Sequence, residues 1–232
     1  MGIEREGEPY EHRVRQWLGA DPSAFDILFI EETKKSPVQF AYWATRTAKG
    51  TWEQMDQWCA HVERLKVKNF VRGLLLIQPR ESERNAFTVR RQKGEGTGAL
   101  EVEWQRGWET TWAAPSSRER VWASRPRASG GVELHVVHVP RQGQLAPSQF
   151  TLKTSYPFAG EDECPSWVAT LVARCDGKTS TLAHFEEGKR QKWLPAEMPG
   201  DQFVSAVGEL VGRGILEIEE FLWPRHTNPQ DH

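Results

Sequence analysis

The last quarter of the chain carries the pattern that most restricts what it can fold into. Apolar residues recur at helical spacing in SWVATLVAR, which starts at Ser166, and the turn signal Asp176-Gly177 follows it. The segment TLAHF, residues 181–185, predicts a short second helix. Two such short helices have to bury their apolar faces against a further element, because neither forms a core alone.

That further element is a third helix with one apolar stripe. The residues of this stripe are Phe203, Val207, Leu210 and Val211. The segment that follows, 215–221, predicts a strand. Three helices followed by a strand are the outline of a winged helix, which the sequence therefore predicts over residues 166–223.

Two short motifs in this region are similar to those of a family of winged-helix modules. They are CDG, which ends at Gly177, and GILE, which starts at Gly214. The family includes the peptide chaperone of pyrroloquinoline quinone biosynthesis and related precursor-recognition elements. The resemblance implies a module that binds a leader peptide by adding it to a sheet edge. The gap over residues 186–200 is longer here than in that family.

The third predicted helix carries few basic residues that could contact nucleic acid. The helix contains two acidic residues, Asp201 and Glu209, and one basic residue, Arg213. A helix that reads DNA needs basic side chains to meet the phosphates. The module is therefore predicted not to bind DNA through this helix.

The N-terminal third predicts a core in the order helix, strand, strand, helix, strand. The predicted helix covers 9–18, the strands cover 25–30, 38–47 and 70–77, and the second helix starts after Thr51. Thr51 suits the N-cap position because its hydroxyl can accept a hydrogen bond from a backbone N–H of the first turn.

This order loosely resembles the PD-(D/E)xK nuclease core. The first strand would supply Asp26 and the following helix Gln54, but the Glu-x-Lys position falls on Ala44-Thr45-Arg46. A site of two carboxylates cannot hold catalytic Mg²⁺ once one of them is gone. The resemblance thus implies a core without nuclease activity unless Glu31 or Glu32 substitutes. A generic αββαβ arrangement is the alternative interpretation.

Residues 86–153 alternate apolar and polar positions in short segments. AFTVRRQ, LEVEWQ, ERVWAS and VELHVVHV are separated by glycine, proline and serine, which predicts antiparallel strands. The predicted fold class is α+β: an N-terminal αββαβ core, an antiparallel β-rich middle and a C-terminal winged helix. The predicted domains are 1–153, the core with its basic β-rich extension, and 154–232, the winged-helix-like domain.

The net charge of −2 conceals a segregation of charge along the chain. Residues 64–153 carry 16 basic and 8 acidic side chains, whereas 1–63 carry 7 and 11 and 154–232 carry 7 and 13. The basic middle either contacts an acidic partner or is neutralised by the flanks within the fold. Arginine next to an aromatic ring also suits phosphate contacts and base stacking. The predicted partner-binding residues form two clusters along the chain. The first contains Arg80, Arg84, Arg90 and Arg91, and the second contains Arg118, Arg120, Trp122, Arg125 and Arg127.

No recognised catalytic or metal-binding motif accompanies these clusters. Cys59, Cys164 and Cys175 lack metal-type spacing. His135 and His138 lie three apart on a predicted strand and therefore point to opposite faces. The sequence predicts no catalytic residue, no metal and no cofactor.

These patterns predict a non-catalytic binding or adaptor subunit of a macromolecular complex. A protein or peptide is the first choice of partner and nucleic acid the second, with a nuclease-like enzyme as the rival interpretation. No apolar run approaches the roughly 20 residues that cross a bilayer, and the acidic start MGIEREGEPYEHR is no secretion signal. A cytoplasmic protein without membrane contact is expected.

Overall fold

A computed structural model describes residues 1–19, 21–80 and 83–219 of the chain. Within these ranges the fold is mixed α/β, and no helix there has the length and apolar character to cross a membrane. The chain forms two compact units, the first ending at Gln92 and the second starting at Lys93. The sequence predicted the division between residues 153 and 154. The arginines of the predicted surface are therefore shared between two units.

The first unit is built on strands in the order β1, β3, β2, β4. Strand β3 runs antiparallel to both β1 and β2, and β4 runs parallel to β2. Residues 27–30 in β2 are buried, as expected for a continuous apolar run in the middle of a sheet. The elements are β1 (Gly2–Arg5), α1 (Tyr10–Trp17), β2 (Phe25–Lys35), α2 (Pro37–Thr47), α3 (Trp52–Arg64), β3 (Val67–Pro79) and β4 (Thr88–Lys93).

Helix α2 occupies the segment predicted as the second strand, 38–47. The Ser36 hydroxyl accepts a hydrogen bond from the Gln39 backbone N–H, and the Gln39 side chain accepts one from the Ser36 backbone N–H. Pro37 fits the first helical position, where no N–H is needed. Only Ala41 is buried in this helix, so the apolar alternation does not mark a buried strand face. The predicted order αββαβ is wrong, because the unit runs β-α-β-α-α-β-β.

The two helices predicted at 9–18 and after Thr51 are present in the first unit. Helix α1 is confirmed, and α3 begins after Thr51, whose hydroxyl accepts a hydrogen bond from the Gln54 backbone N–H. The strand predicted at 70–77 is present as β3, and part of it is exposed. Leu74 is 51% exposed and Ile77 is 38% exposed.

The second unit combines five helices with strands in its described part. Strands β6, β7 and β8 form consecutive antiparallel pairs, and β5 pairs with β9. The elements are α4 (Ala99–Trp112), α5 (Ser117–Ala123), β5 (Arg127–Ala128), β6 (Val132–Arg141), β7 (Gln144–Thr154), β8 (Phe158–Cys164), α6 (Ser166–Arg174), α7 (Thr181–Gln191), α8 (Gly200–Gly212) and β9 (Leu216–Glu217).

Two segments of the predicted β-rich middle are helices instead. LEVEWQ lies in α4 and ERVWAS overlaps α5. The tryptophans of α4 explain the difference, because residues four apart share one face of a helix. The Trp104 and Trp108 rings stack with centroids 6.4 Å apart, and the Trp108 and Trp112 rings stack at 5.9 Å. The strand predicted at VELHVVHV is confirmed as β6.

The core of the second unit centres on α8. All four members of its predicted stripe are buried, including Phe203 and Leu210. The predicted helices α6 and α7 are also present, and α7 continues to Gln191, which shortens the predicted gap over 186–200. The predicted strand is confirmed only at β9, and residues 220–223 of the predicted module lie outside the described residues.

Candidate partner-binding surface

The predicted surface arginine Arg84 is buried in the first unit. Its guanidinium forms an ion pair with Asp26 in β2, with Nη1 donating to Oδ1 at 3.0 Å. The Phe87 backbone N–H also donates to Asp26, at 3.2 Å. Burial raises the pKa of Asp26, but these donors outweigh it and hold the pKa below its usual value. Arg84 is only 5% exposed at its side chain, so it cannot reach a partner.

Arg90 is enclosed by acidic side chains from three elements. It forms ion pairs with Glu4 in β1, Glu11 in α1 and Glu31 in β2. Glu4 also lies 3.2 Å from the Lys34 ammonium group. Burial raises the pKa of Glu4, but Arg90 and Lys34 outweigh it and lower the pKa. The charge of Arg90 is therefore neutralised within the unit.

The remaining two arginines of the first cluster are partly buried. Arg80 Nη1 donates to the carbonyl oxygen of Arg84 at 2.6 Å, and Arg91 Nη1 donates to that of Arg90 at 2.9 Å. None of these four arginines is exposed. The first cluster therefore offers less to a partner than its sequence suggested.

Asp26 and Gln54 of the nuclease resemblance lie in the predicted elements, a strand and the first turn of a helix, whereas residues 44–46 do not lie on the predicted strand. Residues 44–46 lie in helix α2, and Gln54 caps helix α3. Asp26 and Glu31 both lie on β2, but each is engaged with an arginine. An Mg²⁺ ion would have to displace these guanidinium groups to reach either carboxylate.

The second cluster presents exposed arginines. Arg118 and Arg120 lie on α5, and Arg125 follows the helix. Arg118 Nη1 is 3.9 Å from Asp201 Oδ1 at the start of α8, a distance typical of a weak surface pair. Three exposed cationic side chains therefore lie within eight residues in this part of the second unit.

Arg127 and Trp122 have structural contacts in the same region. Arg127 Nε and Nη2 both donate to Glu217 Oε2, at 2.8 and 2.5 Å, which ties β5 to β9. The Trp122 ring stacks on Phe203 with centroids 6.1 Å apart, and it meets Phe185 edge-on at 5.5 Å. The side chains of Arg127 and Trp122 therefore hold elements of the second unit together, and neither is as exposed as Arg118, Arg120 and Arg125.

A groove of about 450 Å³ opens beside the exposed arginines. Two tryptophans from distant parts of the sequence, Trp112 of α4 and Trp167 of α6, lie on its wall, and the exposed face of α8 supplies polar groups. The lining residues are Trp112, Ser117, Arg118, Trp167, Gln202, Ser205, Ala206 and Glu209. An aromatic wall with a polar rim is the usual composition of a protein-binding surface.

Gly208 determines how closely Trp112 approaches α8. A Cβ atom at this position would lie 2.4 Å from the Trp112 ring, so only glycine permits the observed contact. Trp167 packs against Phe203 with ring centroids 6.2 Å apart. Sequence reasoning missed the groove because its two tryptophans meet only through tertiary packing. The glycine within the apolar stripe of α8 was the one available signal.

The cysteines and the buried histidine of the second unit offer no reactive or metal-binding arrangement. Burial raises the pKa of Cys175 to about 12 and also raises that of Cys164, so both thiols stay protonated at neutral pH. His184 is buried, and burial lowers its pKa. In the described ranges, no three His, Cys, Asp or Glu side chains are grouped so that they could hold a metal ion.

Comparison with known proteins identifies no relative of this chain. The chain matches no family model, and neither curated proteins nor solved structures give a match. The functional argument therefore depends on the geometry of the second unit.

Proposed function

We propose that this protein is a non-catalytic binding or adaptor subunit of a macromolecular complex in the cytoplasm, and that it contacts a protein or peptide partner through its second unit. The contact surface is the groove beside α8 together with Arg118, Arg120 and Arg125. The observation that carries this proposal is the tryptophan-walled groove that Arg118 lines, with two further exposed arginines, Arg120 and Arg125, on the same stretch of chain.

The chemistry of the groove favours a protein over a nucleic acid. Trp112 and Trp167 can cover an apolar side chain of a partner, and Gln202 and Arg118 can hydrogen-bond its backbone or its carboxylates. Glu209 on the same rim would repel a phosphate backbone. The exposed arginines favour an acidic segment of the partner next to the groove, where they increase the association rate.

The order α6, α7, α8, β9 supports the proposal that this region is a winged-helix module. Strand β5 supplies the pairing partner of β9, and the backbone of Arg127 also forms an isolated antiparallel β-bridge with Asp176, between α6 and α7. In this proposal, α8 occupies the place of a recognition helix and presents Gln202, Ser205 and Glu209 to a protein. Its polar, partly acidic face suits that role better than contact with DNA.

The proposal is tested by filling the groove. Ala206→Arg introduces a long side chain at a position that lines the groove, whereas Leu100→Arg introduces the same residue at a 64% exposed position of α4 that does not line it. Tagged proteins capture partners from a lysate of the source cell, with and without nuclease treatment. We expect Ala206→Arg to lose a protein that the wild type and Leu100→Arg retain, with or without nuclease.

Two results would contradict this proposal. Equal retention of every partner by both variants would show that the groove is not the contact site. Loss of all wild-type partners on nuclease treatment would favour nucleic acid as the partner instead.

A further inference from the structure

The β6-β7 hairpin extends beyond the strand that supports it. Strands β6 and β7 pair along their whole length, from Val132 opposite Thr154 to Arg141 opposite Gln144. Strand β8 pairs with β7 only over residues 150–154. Residues 137–149 therefore form a two-stranded arm, and apolar side chains on it are exposed, including Val137 and Leu145 at 50% and 70%. A two-stranded hairpin is only marginally stable in water, so further pairing would stabilise this arm.

The outer edge of β6 is open and regular. Within the described residues β6 pairs with β7 alone, at the end of the sheet. The register shift beside Val137 leaves the extra residue, Ser148, on β7, so the ten residues of β6 are uninterrupted. Edge strands are usually protected by lysines, prolines or bulges. Strand β6 has no lysine. Its one proline, Pro140, lies at an outward-directed position next to the turn, so it removes one hydrogen-bond donor from this end of the edge.

Backbone geometry restricts how this edge can pair with a copy of itself. Along a strand, alternate residues direct both N–H and C=O toward the same neighbour. In an antiparallel pair, outward-directed residues must lie opposite outward-directed residues. A symmetric pair of β6 strands therefore has its twofold axis through a residue, not between two residues.

The charges of β6 select one of these registers. When the axis passes through Val137, Glu133 lies directly opposite Arg141 of the second copy, once at each end of the paired segment. Val137 then lies opposite itself, and His135 lies opposite Val139. An axis through Val136 would instead place Glu133 opposite Val139. Opposite charges in directly facing positions stabilise a strand pair.

We propose that β6 pairs with β6 of a second copy of this chain, antiparallel and centred on Val137, to form a symmetric dimer. The dimer joins the two sheets along their open edges and protects each edge from other strands. This surface is separate from the groove beside α8, and the proposal does not depend on the proposed function.

A cysteine at the axis tests the register directly. Only the axis residue faces its own copy, so Val137→Cys should form a disulfide-linked dimer under mild oxidation. Val139→Cys is the matched control, because residue 139 would face His135. Cross-linking should return when His135→Cys and Val139→Cys proteins are mixed. The wild type reports the background from its three native cysteines. We expect roughly tenfold more covalent dimer from Val137→Cys than from Val139→Cys.

Charge reversal tests the same register without cross-linking. Glu133→Arg and Arg141→Glu each place like charges opposite one another at both ends, and each should raise the dissociation constant roughly tenfold in sedimentation equilibrium. The double variant restores opposite charges between the copies and should dimerise more strongly than either single variant, although Glu133→Arg also removes the contact of Glu133 with His135 and faces Lys153 of its own chain. A monomeric wild type, equal cross-linking at positions 137 and 139, or a double variant as weak as the single ones would overturn the proposal. If the edge of β6 binds a foreign peptide and not a second copy, the purified wild type should be monomeric.

Discussion

Arginines that look alike in the sequence have opposite settings in the two units. In the first unit, Arg84 and Arg90 are enclosed by carboxylates of neighbouring strands, Asp26 and Glu4 among them. In the second unit, Arg118 lies exposed beside a groove. The difference lies in which acidic side chains the fold brings near. A basic stretch becomes a contact surface only where the fold leaves it without buried acidic neighbours.

The largest expected effect separates a buried arginine from an exposed one. Arg84→Ala leaves the Asp26 carboxylate buried without its counterion, and we expect the free energy of unfolding to fall by about 3–5 kcal/mol. Arg118→Ala removes only a 3.9 Å surface pair and should cost less than about 1 kcal/mol. Denaturant unfolding of both variants measures the difference. Equal losses would mean that the contrast between the two units is wrong.

The second unit should depend on aromatic packing where the first depends on ion pairs. Gly208→Ala forces a Cβ atom against the Trp112 ring, and we expect a loss of about 1–3 kcal/mol. Gly107→Ala in α4 is the control, because a Cβ atom there meets no other group within 4 Å. That variant should raise stability by up to about 1 kcal/mol through helix propensity. Thermal or denaturant unfolding distinguishes the opposite signs.

Several helices could be predicted from the local sequence, but the burial of the arginines in the first unit could not. The stripe of α8 repeats at three and four residues, and Thr51 marks the start of α3, so both helices were predicted correctly. Helix α2 was missed because its apolar residues also alternate, although Ser36-Pro37 is a helix-start signal. The ion pair of Arg84 spans 58 residues, and no local pattern indicates such a partner.

The two units should also differ in their response to alkaline pH. Burial raises the pKa of Cys175 from 9.0 to about 12, so the folded state keeps a proton that the unfolded state loses. A raised pKa gives stability that is present below pH 9 and declines as pH rises toward 12, by about 1.4 kcal/mol at pH 10. Hydrogen exchange in α6 should report this decline. Cys175→Ala should remove it, and an unchanged pH dependence in that variant would contradict the assignment.

The first unit should respond in the opposite direction, at acidic pH. The folded-state pKa values of Asp26 and Glu4 lie below their usual values, because their arginine partners outweigh the effect of burial. Their stabilisation is present above the unfolded pKa values of about 4 and is lost as pH falls through the folded values. The protection of β2 amides, taken relative to the intrinsic exchange rate at each pH, should therefore fall below pH 4. Protection in β2 that stays constant as pH falls from 5 to 2 would contradict this expectation.

The central claim, that the second unit carries the partner contact, is tested most directly by two charge-matched triple variants. Arg118→Glu, Arg120→Glu and Arg125→Glu change the proposed surface, and Arg64→Glu, Lys68→Glu and Arg72→Glu change exposed positions of the first unit by the same charge. Affinity for the captured partner is measured at low and physiological salt. We expect the first variant to bind at least about tenfold more weakly and the second to stay within about twofold of the wild type. Equal weakening of both, or full affinity in the first, would contradict the claim.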